Sequence, residues 1–347
     1  MDTMTSQTGQ VRELVEQRLA ELLEEQLGRL GFLDDHDVEL VREFLVEFVL
    51  GGGKRLRPAF VYWGYRAAGG ERPAEVLPAA CAMELVHAAA LLLDDVMDEA
   101  AARRGRPAAH VALAALHRAS GRRGDAGRFG ESVATLLALL AWSWADAALL
   151  ETAGPRLGAA LDVFTRLRVE AIGGQYLDLA AAAGAGEGQE QAEVISLYKS
   201  GKYTVEGPLH LGHAVAGGCP RTRRLLSAYA LPLGAAFQLR DDVNGVFGDP
   251  ARTGKGCSDL SQGKATFLLA YARRVTGSAL LDGITDERGV AAARELIVRC
   301  GALEAAERRI AALTDEAVTA LDRPPGIPPE ARQALTELAT LSTAKSL

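Results

Sequence analysis

Cysteine is scarce in this chain and carries no pattern. Only four occur among 347 residues (Cys81, Cys219, Cys257 and Cys300), and no two have CxxC spacing. That disfavours a disulfide framework and a cysteine-based zinc site, and it fits a reducing, cytoplasmic setting. Positive charge is also short, with 38 Lys and Arg against 45 Asp and Glu. That disfavours a general nucleic-acid or anionic-membrane role, and any basic site must be local. Nothing near the polar N-terminus reads as a signal peptide. The longest apolar run, Val133 to Trp144, contains Thr135 and Ser143 and ends near Asp146. It is too short to span a bilayer and reads as a core helix. No Ser-His-Asp arrangement and no buried acid–base pair offers itself for proton-transfer catalysis.

What the chain has in quantity is apolar helix. Hydrophobic residues make up 48% and charged residues 24%, the composition of a globular protein with a large core. Residues 1–9 read as a disordered tail, and 10–347 as one domain. Gln10 to Leu30 is an amphipathic helix with Val11, Leu14, Val15, Leu19, Leu22 and Leu23 near helical spacing. Asp37 to Leu50 is a second helix, stopped by Gly51-Gly52-Gly53. Alanine-rich helices are predicted over about 58–69, 74–98, 108–120, 128–152, 155–181, 189–217, 220–248, 262–275, 288–301, 303–321 and 328–342, separated by Gly/Pro clusters. Strand-like alternation is rare and no short-period repeat occurs. The expected fold is all-α, a large single-domain bundle with a central cavity between facing helices.

The chemistry concentrates in Leu91–Pro107, LLLDDVMDEAAARRGRP. On a helix Asp94 and Asp98 stand one turn apart on one face, with Asp95 off to the side. Carboxylates so close repel unless a cation lies between them, and oxygen ligands suit Mg²⁺ completed by water and substrate phosphates. Arg103 and Arg104 follow, and guanidinium grips phosphate bidentately. A solvated helix end is the bland alternative, but the almost wholly apolar lead-in Leu85–Leu93 argues for burial, and buried charge needs a partner. Far along the chain the pattern recurs: an apolar segment runs into Asp241 and Asp242 in FQLRDDVNGVFGD. The pair of motifs reads as two walls of one metal–diphosphate cavity. Lys54, Arg55 and Arg57 follow three glycines in GGGKRLRP, which lets backbone and cations approach a ligand closely. His87, Gln175 with Asp178 in GGQYLDL, and Lys199 with Lys202 in YKSGKYT each have an ordinary reading when taken singly: a core histidine, a helix surface, solvated lysines. Lys255, with Asp259 and Lys264 close behind, suits a flexible phosphate lid.

In this order and spacing the motifs resemble the trans-isoprenyl diphosphate synthases, the polyprenyl synthetase family, from about Gly51 to Lys264, with the bacterial geranylgeranyl type the nearest in appearance. The resemblance implies the isoprenoid synthase fold and a prenyltransferase joining isopentenyl diphosphate to an allylic diphosphate. It implies that Lys54, Arg57, His87 and Arg104 hold isopentenyl diphosphate. It makes Asp94 and Asp98 ligands of Mg²⁺, with Asp95 in support, and adds Asp241, Asp242 and Asp178 to a set serving three ions with bound diphosphate. Arg103, Lys199 and Lys255 would stabilise the allylic diphosphate as it leaves, while Gln175, Gln238 and Lys264 line the substrates. A homodimer is implied too, with no nucleic acid and no transmembrane segment. Three positions depart from the family pattern: Gly245 replaces the last Asp of the second motif, Ala138-Leu139 stands where Gly-Asp is frequent, and only Lys345 is basic in the C-terminal tail.

Preorganised charge around a leaving diphosphate is the catalysis these residues imply, and an Ala/Leu-lined core supplies the dryness an allylic cation needs. Ala89 and Ala90 lie five and four residues before Asp94. A bulky aromatic there closes the tunnel in farnesyl-type relatives, so two alanines predict a longer product, geranylgeranyl diphosphate. Three rivals stand beside this reading: a terpene cyclase on the same fold, a non-catalytic partner subunit of a prenyl synthase, and a helical scaffold with a coincidental acid cluster, against which five ordered motifs stand. A cyclase has no need of a second diphosphate pocket, and a partner subunit would be expected to lose its Asp residues.

Overall fold

Alanine and leucine dominate between glycine and proline stops, and the chain folds accordingly into helix after helix. The computed structural model describes residues 7–152, 156–183, 194–248, 260, 266–277, 281, 284, 286–322 and 326–345. It divides into two compact units, Met1–Leu161 with Leu211–Gly218, and Asp162–His210 with Cys219–Leu347.

In the first unit α1 (Gln7–Gly28) buries Val11, Val15, Leu19, Leu22, Leu23 and Leu27. It begins three residues earlier than the sequence predicts, because Thr8 is buried and adds to the inward face. The next helix, α2 (Asp35–Val41), is capped by the Asp34 side chain. It passes through a π-helical turn, Arg42–Val46, into α3 (Glu47–Leu50). There follow α4 (Leu56–Ala67), the almost wholly apolar α5 (Pro73–Met97), α6 (Ala109–Ala119) and α7 (Ala126–Leu150), whose N-terminus the Asp125 carboxylate caps. Packed together, α4, α5, α6 and α7 form the heart of this unit, around Phe60, Trp63, Met83, Leu85 and Leu92. Between the predicted helices 74–98 and 108–120 lies a minimal hairpin, β1 (Ala102–Arg103) against β2 (Arg106–Pro107). Its two-residue turn has φ +52° at Arg104 and +74° at Gly105, the sign that tight hairpin turns require.

The second unit takes Asp162 onward of α8 (Leu157–Ala182), then a π-helical segment, Ser196–Glu206, that runs into α9 (Gly207–Ala216). The Gly207 N–H reaches back five residues to the Lys202 carbonyl, the bond of the wider π coil. The long α10 (Pro220–Phe247) packs along that segment and along α13 (Ala302–Ala320); α11 (Phe267–Thr276), α12 (Glu287–Arg299) and α14 (Pro329–Thr343) complete the unit. Its core gathers Val243, Val246, Leu268, Leu269, Ile297 and Ile310.

The all-α expectation is met. Among the described residues two helices, α5 and α7, are long and apolar enough to cross a membrane. The most apolar stretch of α5 is 72% buried, as in a core helix, whereas that of α7 is 44% buried. The run Val133–Trp144 is short, but its helix continues past Asp146 to Leu150, because alanine and leucine carry it on.

Candidate functional site

The acidic motif sits at the C-terminal end of α5, on the helix the sequence predicts. Asp98 is the residue that follows the helix, and its N–H donates to the Asp94 carbonyl at 2.8 Å, so the two remain one turn apart. Both are half-buried, while Asp95 is only 1% exposed. A buried carboxylate needs a cation, and Arg103 of the hairpin provides it. Its Nε lies 2.7 Å from each Asp95 oxygen and its Nη2 is 3.2 Å from Asp94 Oδ2. Burial alone would lower the Arg103 guanidinium; the bonds and charges of Asp95 and Asp94 outweigh it and hold the group raised. Asp95 is thus bound to an arginine and supports the motif from behind, leaving Asp94 and Asp98 as its accessible carboxylates.

The basic turn lies in the same unit. Arg57 Nη1 is 3.1 Å from His87 Nε2, which joins α4 to α5 two turns before Asp94. The Arg104 guanidinium lies against the glycine turn, with Nη1 and Nη2 within 4 Å of where side chains on Gly51 and Gly53 would start. It donates to the Phe48 carbonyl at 3.4 Å and stacks over the Phe48 ring at 5.4 Å. Lys54 is exposed beside them. Burial first, then the charges of Arg57, Arg104, Arg103 and Arg55, push His87 well below its usual range, so the ring is neutral. Burial likewise lowers Arg104, with Arg55 and Arg103 adding to it. Such a field attracts an anion.

Two residues hold this cluster from behind, and one of them, Arg55, is a cation that the sequence reading places toward the ligand. Arg55, the second cation of GGGKRLRP, has a side chain 1% exposed and is ion-paired to Glu84 of α5, one turn before His87. Its Nε is also 3.4 Å from Glu16 of α1. Arg55 stands at φ +49°, a left-handed conformation that costs a non-glycine residue about 1–3 kcal/mol and persists only when surroundings enforce it. The signal was available: a lone glutamate inside an apolar helix demands a cation.

In the second unit α8 and the π-helical segment bring GGQYLDL and YKSGKYT together. Lys199 Nζ lies 2.5 Å from Asp178 Oδ2, and Lys202 Nζ 3.3 Å from Glu170 Oε2. A side chain on Gly174 would begin 2.4 Å from the Lys199 nitrogen, so backbone packs on backbone there. Gln175 is half-buried on the same helix. On α10, Gln238 Nε2 donates to Asp242 Oδ1 at 2.8 Å, and Asp241 is exposed. Gly245, the departure from the usual second motif, is half-buried. Ala89 is fully buried and Ala90 half-buried on α5. On α7 Ala138 points inward and Leu139 is 54% exposed. Lys345 pairs with Glu307 at 3.5 Å. Lys255, Asp259 and Lys264 lie outside the described residues.

A magnesium site can be judged from these donors. Among the described residues no three His, Cys, Asp or Glu side chains converge as a ready-made cage. Instead carboxylates are offered by ones and twos: Asp94 with Asp98, Asp241 with Asp242, and Asp178. All are oxygen donors, and Mg²⁺ is commonly held by one or two carboxylates and finished by water and substrate phosphates. The residues fit that ion when it arrives with a diphosphate.

Comparison with known proteins agrees with this chemistry. Residues 38–297 match the family model described as Polyprenyl synthetase. A farnesyl diphosphate synthase of Mycobacterium bovis is 32% identical over 72% of this chain and 67% of its own. A geranylfarnesyl diphosphate synthase of Aeropyrum pernix is 29% identical over 84% of this chain and 90% of its own. Among solved structures, a geranylgeranyl pyrophosphate synthase of Corynebacterium glutamicum, complexed with isoprenyl diphosphate and magnesium, superimposes with a TM-score of 0.91. It is 37% identical, and the match covers 99% of this chain and 100% of that one. An all-α fold with acidic and basic diphosphate motifs thus defines a prenyl-transferring enzyme. The chain belongs to the polyprenyl synthetase family.

Proposed function

We propose that the chain condenses isopentenyl diphosphate with allylic diphosphates and makes geranylgeranyl diphosphate. The observation that carries this reading is the pairing, within the first unit, of an acidic motif with a separate basic cluster. Asp94 and Asp98 stand at the end of α5, and Lys54, Arg57, His87 and Arg104 gather at the glycine turn. One diphosphate needs a metal-bearing carboxylate pair; a second, bound without ionising, needs cations. A terpene cyclase has no use for the second.

In this scheme Asp94 and Asp98 would hold Mg²⁺, and Asp241, Asp242 and Asp178 would offer carboxylates to further ions, three in all. Magnesium, when bound, stabilises negative charge on phosphate oxygens as a Lewis acid. Arg103 and Lys199, with Lys255, take charge developing on the departing diphosphate as its carbon–oxygen bond breaks. Gln175, Gln238 and Lys264 line the substrates. Isopentenyl diphosphate, fixed by Lys54, Arg57, His87 and Arg104, attacks the resulting allylic cation through its double bond. A new carbon–carbon bond forms, and the proton lost from the adduct passes to the departing diphosphate. Apolar walls from α5, including buried Ala88, Ala89 and Leu92, keep water from quenching the cation.

Small side chains at Ala89 and Ala90 support a chain longer than the farnesyl product. The names of relatives span farnesyl, geranylgeranyl and geranylfarnesyl synthases, which brackets that length. The reading includes a homodimer in the cytoplasm. Exposed Leu136, Leu139 and Leu150 on α7, and exposed Val169, Ile172 and Tyr176 on α8, support a partner on each helix. Calorimetric titration with isopentenyl diphosphate tests the central point. Binding that weakens at least tenfold in Arg57→Met supports the synthase, as expected for a lost charge-assisted phosphate contact. Absence of binding to the unaltered chain favours the cyclase.

A further inference from the structure

The second acidic motif contains a residue that no role above uses. Arg240 directly precedes Asp241 on α10, yet it is 5% exposed and turned into the second unit. Its Nη1 and Nη2 donate in parallel to the two carboxylate oxygens of Glu307 on α13, at 2.8 and 2.7 Å. Its Nε donates to the carbonyl of Thr343, the last residue of α14, at 2.9 Å. Lys345, two residues further on, reaches the same Glu307. A buried guanidinium in a two-point fork accepts one geometry and little else.

The helix needs such a fixture. Pro232 lies inside α10, two turns before Arg240, and contributes no N–H to the helical ladder. The half that follows, with Gln238, Asp241 and Asp242, is therefore oriented mainly by what grips it. Grips come from three helices: Glu307 of α13, the end of α14, and Arg294 of α12, whose Nε donates to the Val246 carbonyl at 2.7 Å. A one-residue rotation of this half would swing the side chains by about 100°, moving Asp241 off its exposed face and tearing Arg240 from Glu307.

We infer that Arg240 is a positioning residue: clamped by Glu307 and the end of α14, it sets the rotation at which Asp241 and Asp242 are presented to metal. The inference rests on the proposed role of those aspartates as magnesium ligands. It makes the C-terminal end of the chain part of the device that orients the second motif, although that end carries a single lysine.

The test uses Glu307→Gln, which keeps the shape but removes the charge of the fork, and Arg240→Lys, which keeps the charge but removes the fork. The first readout is thermal stabilisation by inorganic diphosphate as Mg²⁺ is titrated; the second is the Mg²⁺ dependence of condensation. Both variants should need about tenfold more Mg²⁺ in both measurements, the size of effect seen when groups behind metal ligands are removed. Their KM for isopentenyl diphosphate, a ligand assigned to the first unit, should not move. Folded variants with an unchanged Mg²⁺ requirement overturn the inference. So does a loss of activity at all Mg²⁺ concentrations with no shift in the midpoint, which marks a merely structural pair. An unaltered chain that stabilises with Mg²⁺ and diphosphate but makes no condensation product overturns the parent reading instead.

Discussion

Adding one methyl group at Gly174 should cripple the protein, while adding one next door should not. In Gly174→Ala the new carbon would lie 2.4 Å from the Lys199 nitrogen, 2.8 Å from its Cα and 2.9 Å from the Tyr198 carbonyl carbon. Relaxed carbon contacts lie at about 3.5–4.0 Å, and all three obstacles are backbone, so α8 and the π-helical segment must part by about 1 Å. Overpacking of this kind costs about 1–3 kcal/mol of stability. The same shift pulls Lys199 from its 2.5 Å contact with Asp178, and a misplacement of about 1 Å at a reacting site costs about a hundredfold in rate. At Gly173 nothing lies within 4 Å, so Gly173→Ala should raise stability by up to about 1 kcal/mol through helix propensity alone. Urea unfolding and steady-state rates with a ten-carbon allylic diphosphate measure both effects. Equal stability and equal rates in the two variants would refute the backbone-contact reasoning.

Further consequences follow from charge and size. Because His87 is held well below its usual range, the folded chain binds fewer protons there than the unfolded chain, so its contribution works against stability as pH falls through about 6.5. A bound diphosphate favours the imidazolium, so binding isopentenyl diphosphate near pH 6.5 should take up protons; calorimetry in buffers of different ionisation enthalpy should show this, and His87→Asn should abolish it. Glu84→Ala strands the buried Arg55 charge and should destabilise the fold by about 3–5 kcal/mol in urea unfolding, against little change for an exposed glutamate such as Glu304. Ala89→Phe should shorten the product, read by mass spectrometry of the dephosphorylated alcohol, since a ring on the buried Ala89 would fill the tunnel that two alanines leave open; an unchanged product would remove Ala89 from the tunnel wall.

Much of this molecule is legible in its sequence, for reasons that differ by element. The helices are readable because alanine and leucine runs end at glycine and proline, and α4 to α8 fall within a few residues of where that punctuation puts them. Asp94 and Asp98 are readable because an apolar helix that ends in carboxylates is locally conspicuous. The π coil at Ser196–Glu206 is not, since its glycine and mixed polarity give no periodic signal that separates it from an α-helix. Nor is the pairing of Lys199 with Asp178, which depends on helices meeting across 21 positions of chain. Arg55 and Arg240 sit inside recognised motifs, the first read as a ligand-facing cation and the second given no role, because their work lies behind the site. Each binds a glutamate elsewhere in its own unit, and only the folded chain shows which one. Arg104 is an intermediate case: the Arg-Gly pair marks a turn, but the left-handed backbone that brings its guanidinium to the glycine turn shows only in three dimensions.

The most direct test is product analysis of the unaltered chain. Purified protein is incubated with isopentenyl diphosphate, Mg²⁺ and, in separate reactions, five-, ten- and fifteen-carbon allylic diphosphates, and the products are dephosphorylated and sized by mass spectrometry. The account predicts a twenty-carbon linear alcohol and no product when the metal is chelated. A cyclic hydrocarbon, or no condensation with any of the three starters, would contradict it.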